Sequence, residues 1–381
     1  MQPHFVTKNT SGLIKDFPTK YEDILARVEQ IDPVKYSDTR NYIDGDVSYL
    51  SPYISRGVIS TKQVFRSLMN RGFNPRQIEK FIQELAWRDY WQQVWVEKRE
   101  EINSDLKRPQ PQVENEFLPH AIISAETGIS AIDHGIMHLY SKGYMHNHVR
   151  MYVAALACNV ARSHWRTPAR WMYYHLIDGD WASNALSWQW VAGSNSNKKY
   201  VANQENINKY CRTNERNTYL DIPYDDFEEL AVPDVLRDLE EPAFFTELPA
   251  KAPINIDPSK PTLIYNYYNL DPTWREGQRA NRIVLLEPSV FAKYPISKRV
   301  LNFTLELVRN IPEAQIFVGE YDELMEEYDP RFTAYKEHPL NAHYEGQEEP
   351  RDWMFNVRGY YSSFYGFWKE CEKDMASRNW N

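Results

Sequence analysis

Cysteine is scarce in this chain. There are three among 381 residues, Cys158, Cys211 and Cys371, far apart and odd in number. That argues against a disulfide framework and leaves too few thiolates for a four-cysteine iron–sulfur cluster. It suits a reducing compartment, so a cytoplasmic location is expected. Long apolar runs are missing as well. None approaches the ~18 residues that a membrane helix needs, and the N-terminal MQPHFVTKNTSG lacks the apolar core of a signal peptide, so no membrane partner is expected. No GxGxxG, Walker loop or GxSxG occurs, which sets aside a Rossmann turn, a P-loop and a nucleophile elbow. HExxH is absent too, and the HxxxH spacing of His134 and His138 does not make a zinc site by itself; no metal is expected.

Positive charge is in short supply over the whole chain, whose net charge is −9. The deficit is uneven. Residues 1–220 carry 27 Lys and Arg against 23 Asp and Glu, a net of +4, and the remainder carries −13. The first part can therefore face phosphate, although scattered surface charge explains the same numbers. Aromatic residues are abundant at 14%. Such enrichment fits a heavy core or surfaces on which flat rings stack.

Helical periodicity runs from about residue 20 to 220. YEDILARVEQI, TKQVFRSLM and QIEKFIQELAWRDYWQQVWVEKR repeat apolar residues at i, i+3 and i+4. Thr167-Pro168 reads as the start of a further helix and Asp178-Gly179 as its end. An acidic, proline-bearing linker is expected over 226–260. Beyond it, TLIYNYY, RIVLLEP and AQIFVGE read as buried strands and KRVLNFTLELVRNI as a helix, an α/β pattern with parallel strands. The tail GYYSSFYGFWKECEKDM reads as an aromatic helix docked on that α/β part. The expected fold is mainly α: a helical domain over 1–225, the linker, and a small α/β domain over 261–381.

Several constellations can carry chemistry. Trp87, Trp91 and Trp95 recur at i+4, with Glu84 and Arg88 as an i, i+4 pair beside them. Read alone, this is a core stripe with a surface ion pair; otherwise Trp87 and Glu84 line a cavity. Asn147, Arg150 and Met151 share a helix face, which is odd for pure core. Asp178 could pair with Arg150, and burying that pair is costly unless it is fully hydrogen-bonded. Asn184, Trp188 and Trp190 follow within one turn or two.

DVSYLSPYISRGVIS, FIQELAWRDYW, GYMHNHVRM and LIDGDWASNALSWQWVAG together resemble four motifs of the cryptochrome/photolyase family, in the family's order and spacing. They cover roughly residues 30–210 and look like its helical FAD-binding domain. The resemblance implies FAD as cofactor. Ser48, Leu50 and Ser51 would meet its phosphates, with Tyr36 and Arg88 nearby. Arg150 and Asp178 would flank the isoalloxazine, Gly179 and Asp180 would adjoin it, and Asn184 would face its N5. Glu84, Asn147 and Met151 would line a lesion pocket in which Trp87 and Trp190 stack on a flipped-out pyrimidine dimer. Arg40 and His148, with Trp87 and Trp190, would contact damaged DNA. Trp188 and Trp165 resemble the inner two members of a flavin-reducing tryptophan chain.

The implied activity is light-driven splitting of cyclobutane pyrimidine dimers, a lyase reaction. Asn147 and Met151 favour it over six-four repair, for which histidines are expected at those positions. A blue-light receptor of cryptochrome type is the alternative. There are departures from the family pattern. Val47 stands where Thr is usual and Tyr49 where Arg is usual. No tryptophan occurs in EFLPHAIIS, where the outer relay member is expected, and Phe117 is the nearest aromatic. Family members usually begin with an α/β domain, whereas here α/β-like sequence follows the helices. RIVLLEPSVFAKYPISKRVLNFTLELVRNIPEAQIFVGEYDEL is similar to the back half of that antenna domain, so the α/β part is either that domain moved behind the helices, with an antenna pigment as a further possible cofactor, or an unrelated appended domain.

Overall fold

The computed structural model describes residues 16–377, and the N-terminal MQPHFVTKNTSG lies outside them. The periodic stretches form α1 (Tyr21–Glu29), α2 (Pro33–Thr39), α3 (Ser51–Ser55), α4 (Thr61–Asn70) and the long α5 (Glu79–Lys98). Local chemistry fixes their starts. The Asp32 carboxylate accepts the N–H groups of Val34 and Lys35, with Pro33 at the first helical position. Ser60 and Gln63 close a capping box on α4.

After the short strand β1 (Leu118–Pro119) come α6 (His120–Ile123), α7 (Ser130–Lys142), α8 (Asn147–Ala155), α9 (Arg166–His175), α10 (Trp181–Ala192) and α11 (Gln204–Cys211). α5 is the hub. Asp89 through Trp95 are buried without a break, and seven consecutive residues present every face of a helix, so α5 is covered all round. α10 packs against α5, α8 and α9.

Two expectations about α9 are corrected. It starts at Arg166 with Trp165 at its N-cap, so Pro168 is its third residue. Proline is tolerated there because the first turn's N–H groups have no partner within the helix. It ends at His175, and Asp178-Gly179-Asp180 forms the connection to α10. Asp180 caps α10 by accepting the Ser183 N–H at 2.7 Å.

The acidic segment is fastened down. β2 (Leu239–Glu240) pairs antiparallel with β1, after 3-10 turns at Tyr224–Glu228 and Asp234–Leu236. The α/β part then builds β3 (Thr262–Tyr265), β4 (Asn281–Leu286), α12 (Pro288–Lys293), α13 (Lys298–Val308), β5 (Ala314–Val318), α14 (Tyr321–Tyr328), β6 (Thr333–Lys336) and β7 (Gln347–Glu349). The strands are parallel in the order β5-β4-β3-β6-β7. That order reverses direction between β3 and β6, the switch point at which such sheets offer a crevice.

One face of the sheet shares a continuous apolar core with the helices; the other packs a smaller cluster around Ile264, Phe317 and Tyr321. The last helix, α15 (Phe364–Ser377), corrects another expectation. It lies on α5, not on the sheet: Phe364 stacks on Trp87 with centroids 3.8 Å apart and planes 8° apart, and Phe367 meets Tyr90.

Candidate functional site

The connection between α9 and α10 gathers residues from four segments. Asp178, 5% exposed, accepts both its oxygens' bonds from Arg150 Nη2 of α8, at 3.0 and 2.9 Å, and a third from Ser51 Oγ of α3 at 2.7 Å. Ser55 Oγ, one turn along α3, donates to the Asp178 carbonyl at 2.7 Å. The pair expected between Asp178 and Arg150 is thus hydrogen-bonded fully enough to be buried. Gly179 is needed beside it. A Cβ there would sit 2.9 Å from the Leu176 carbonyl oxygen and 3.1 Å from that of Tyr173, both backbone atoms that cannot step aside.

Arg88 of α5 joins the same cluster. Its Nη2 donates to the Ser51 carbonyl at 3.2 Å and to the Ser55 hydroxyl; Nη1 donates to Ser183 Oγ at 3.4 Å and lies 3.9 Å from Asp180. The i, i+4 pair expected between Glu84 and Arg88 does not form. Glu84 pairs instead with Arg40 of α2 at 3.4 Å, because each side chain finds a partner across the helix interface. Asp180 is held by the Gln92 amide, and Gln92 in turn accepts from Arg351 after the sheet. Arg56, fully buried, donates to the Gly179 carbonyl and lies 3.5 Å over the Tyr267 ring.

The remaining expected residues make other contacts. Tyr36 sits edge-on to Phe81 at 4.8 Å, and burial pushes its phenol far up from the usual value. Ser48 is half-buried and Leu50 fully buried, so Leu50 offers only backbone. Asn147 is exposed, and Met151 and Trp87 are half-buried. Asn184 donates its amide to the Ala169 carbonyl at 2.8 Å, and its Oδ1 has no protein partner among the described residues. Trp190 is 39% exposed with Tyr200 as its ring neighbour. His148 stacks on Tyr210 at 4.6 Å; burial, then Arg40, lower its pKa to about 4. It is therefore neutral at neutral pH and brings no charge to a phosphate. One face of Trp87 is taken by Phe364. Trp188 and Trp165 are buried.

Sequence reasoning missed Ser55, Arg56 and Gln92. A signal existed for two of them: Ser55 follows Ser51, and Gln92 follows Arg88, at i+4 on the same helix face. Arg56 carried none, since a buried arginine is not marked by local sequence.

The donor set fits a dinucleotide flavin. It offers two serine hydroxyls and a guanidinium for phosphate oxygens, an Arg–Asp pair for a polar heterocycle edge, and an unpartnered amide oxygen. A cavity of about 120 Å³ adjoins the cluster, lined by Ser55, Arg88, Gln92 and Asp180 on one side and by Asn266, Tyr268 and His338 at the carboxyl ends of β3 and β6 on the other. It is well below the ~300–1,000 Å³ typical of ligand pockets and does not seat such a molecule.

Comparison with known proteins agrees with the helical part. Residues 81–220 match the family model described as the FAD binding domain of DNA photolyase. The deoxyribodipyrimidine photo-lyase of Streptomyces griseus is 32% identical over 166 residues, 43% of this chain and 36% of that protein. That of Agrobacterium fabrum is 33% identical over 152 residues, 39% and 32% of the two chains. The chain thus spans about a third of the length of these curated relatives. Among solved structures, a Synechocystis cryptochrome aligns with a TM-score of 0.44 at 24% identity, covering 52% of this chain and 44% of its own.

Proposed function

Starting from a helical part that belongs to the cryptochrome/photolyase family in its FAD-binding domain, we propose that the protein repairs cyclobutane pyrimidine dimers in DNA with light. The observation that carries this reading is the convergence on Asp178 of Ser51 from α3 and Arg150 from α8, with Arg88 from α5 bound to the same serine. When bound, FAD supplies a light-absorbing one-electron donor. Ser48, Ser51 and Arg88 would hold its phosphates, Arg88 giving up the bond it now makes to the Ser51 carbonyl. Arg150 and Asp178 stay paired beside the ring system, and Asn184 turns its free Oδ1 toward it. Glu84, Asn147 and Met151 line the lesion side. Trp87 and Trp190 stack on the extruded dimer, where aromatic stacking is worth about 1–3 kcal/mol per base. The exposed Trp190 is available for that contact; Arg40 serves DNA only from within its pair with Glu84. Trp188 and Trp165, both buried, would be the residues that return electrons to the cofactor.

One observation favours a second reading, a blue-light receptor without repair. The stack of Phe364 on Trp87 closes part of the lesion wall with the terminal helix. The two readings separate on illuminating the flavin-reduced protein with oligo(dT) that carries cyclobutane dimers. Repair restores thymine absorbance in the light and not in the dark. No gain in the light leaves the receptor reading.

A further inference from the structure

Trp165 is the last tryptophan of the expected relay, and it is held through its indole nitrogen. The side chain is 0% exposed, yet its Nε1–H donates to Asp105 Oδ1 at 2.8 Å. The carboxylate is fixed in place. Its Oδ2 accepts the Gln110 N–H at 2.8 Å, and Gln110 Oε1 in turn accepts the Trp165 backbone N–H at 2.9 Å. His164 Nε2 lies 3.5 Å from Asp105, and His164 Nδ1 lies 3.6 Å from Glu116, which is 65% exposed. His164 Nδ1 accepts the Arg166 N–H at 3.3 Å, and the Asp105 side chain is itself 22% exposed, so the indole nitrogen reaches solvent through this one carboxylate. Where a third tryptophan was expected, the chain has Phe117, 42% exposed and hard to oxidise.

We propose that Asp105 is the proton acceptor of Trp165, so that the relay ends in proton transfer instead of a third tryptophan. The inference rests on the reading of Trp188 and Trp165 as electron donors to the flavin. Its balance is simple. Light-excited oxidised flavin takes one electron from Trp188, and Trp188 is refilled by one electron from Trp165. One-electron oxidation turns the indole N–H into an acid comparable with a carboxylic acid. The N–H bond breaks, its electron pair stays on nitrogen, and the proton joins the Asp105 carboxylate. Trp165 is left as a neutral radical, which no longer draws the electron back as the cation would. A base within 2.6–3.2 Å of the proton it takes meets the geometric requirement for such a step. From the partly exposed Asp105 the proton then exchanges with solvent.

The test is transient absorption on the full chain loaded with oxidised FAD, in which cationic and neutral tryptophanyl radicals have distinct bands. In the native protein the cation should give way to the neutral radical at a rate independent of buffer concentration. Asp105→Asn keeps an oxygen acceptor and loses the base; deprotonation should slow by about 100-fold, the lower end of what a positioned base contributes, and Asp105→Glu should recover part of it. If Asp105→Asn does not fold, the native protein still decides: a rate that scales with buffer base would mean an external acceptor and overturn the proposal. A native-like rate in Asp105→Asn would overturn it while leaving the relay intact. Absence of any tryptophan radical in the native protein, and equally in Trp188→Phe, would overturn both the relay and the proposal.

Discussion

Asp178 and Asp89 are both buried carboxylates, and they are held in opposite ways. Asp178 has a cation and a hydroxyl on its oxygens. Asp89, on α5, accepts from the Thr61 hydroxyl, at 2.9 and 3.1 Å, and from the Met354 N–H at 2.9 Å, with the charges of Arg351 and Arg358 acting on it more weakly than burial does. Burial raises its pKa to about 6. A raised folded pKa means that the folded state favours the protonated acid. The stability this lends is fully present below the unfolded value near 3.8 and is lost as pH rises through about 6. A shift of that size corresponds to about 3 kcal/mol. Urea unfolding of Asp89→Asn against the native protein at pH 4 and pH 7 should show the variant gaining roughly that much relative stability at the higher pH, by the same linkage. Equal differences at both pH values would contradict the assignment. Gly179→Ala should cost stability of about 1–3 kcal/mol, as overpacking does, and lower flavin occupancy with it.

At the scale of elements, α15 decides how Trp87 is covered. Phe364 is 3% exposed, and removing its ring in Phe364→Ala should cost about 3–5 kcal/mol. It should also expose Trp87, shifting its fluorescence to the red and admitting a soluble quencher. An unchanged tryptophan spectrum would mean that α15 is not docked on α5. The sequence made the aromatic face of this helix legible, but not its partner, because periodicity states which side is apolar and nothing about what covers it. The same limit appears in the sheet. β3 and β4 were visible as apolar runs, being buried along their whole length. β7 (QEE) is a largely exposed edge strand, and its composition carries no strand signal. In the site, Arg150 with Asp178 was legible because unlike charges stood on an otherwise apolar helix and turn. The partnership of Arg88 with Ser51 and Ser55 was not, since the nearer Glu84 offered a local pair that the tertiary fold overrides.

The whole molecule joins its helical and α/β parts through groups close to the site. Arg56 lies over Tyr267, and Arg351 reaches Asp180 through Gln92. Gly57, at φ +63°, brings the backbone so close to the Tyr268 carbonyl that a Cβ would lie 2.4 Å from its oxygen. With one apolar core running across both parts, thermal unfolding should be a single transition, coincident by far-ultraviolet circular dichroism and tryptophan fluorescence. Two separated transitions would contradict a shared core. The central claim is that the Asp178 cluster is the seat of a flavin dinucleotide. Its most direct test is the flavin content of the refolded or reconstituted chain, measured by absorbance, in the native protein and in Asp178→Ala and Asp178→Asn. The expected result is one FAD per native chain, little or none in Asp178→Ala, and a partial content in Asp178→Asn, which keeps the Ser51 bond but loses the charge facing Arg150. Full flavin content in Asp178→Ala, or no flavin in the native protein, would contradict it.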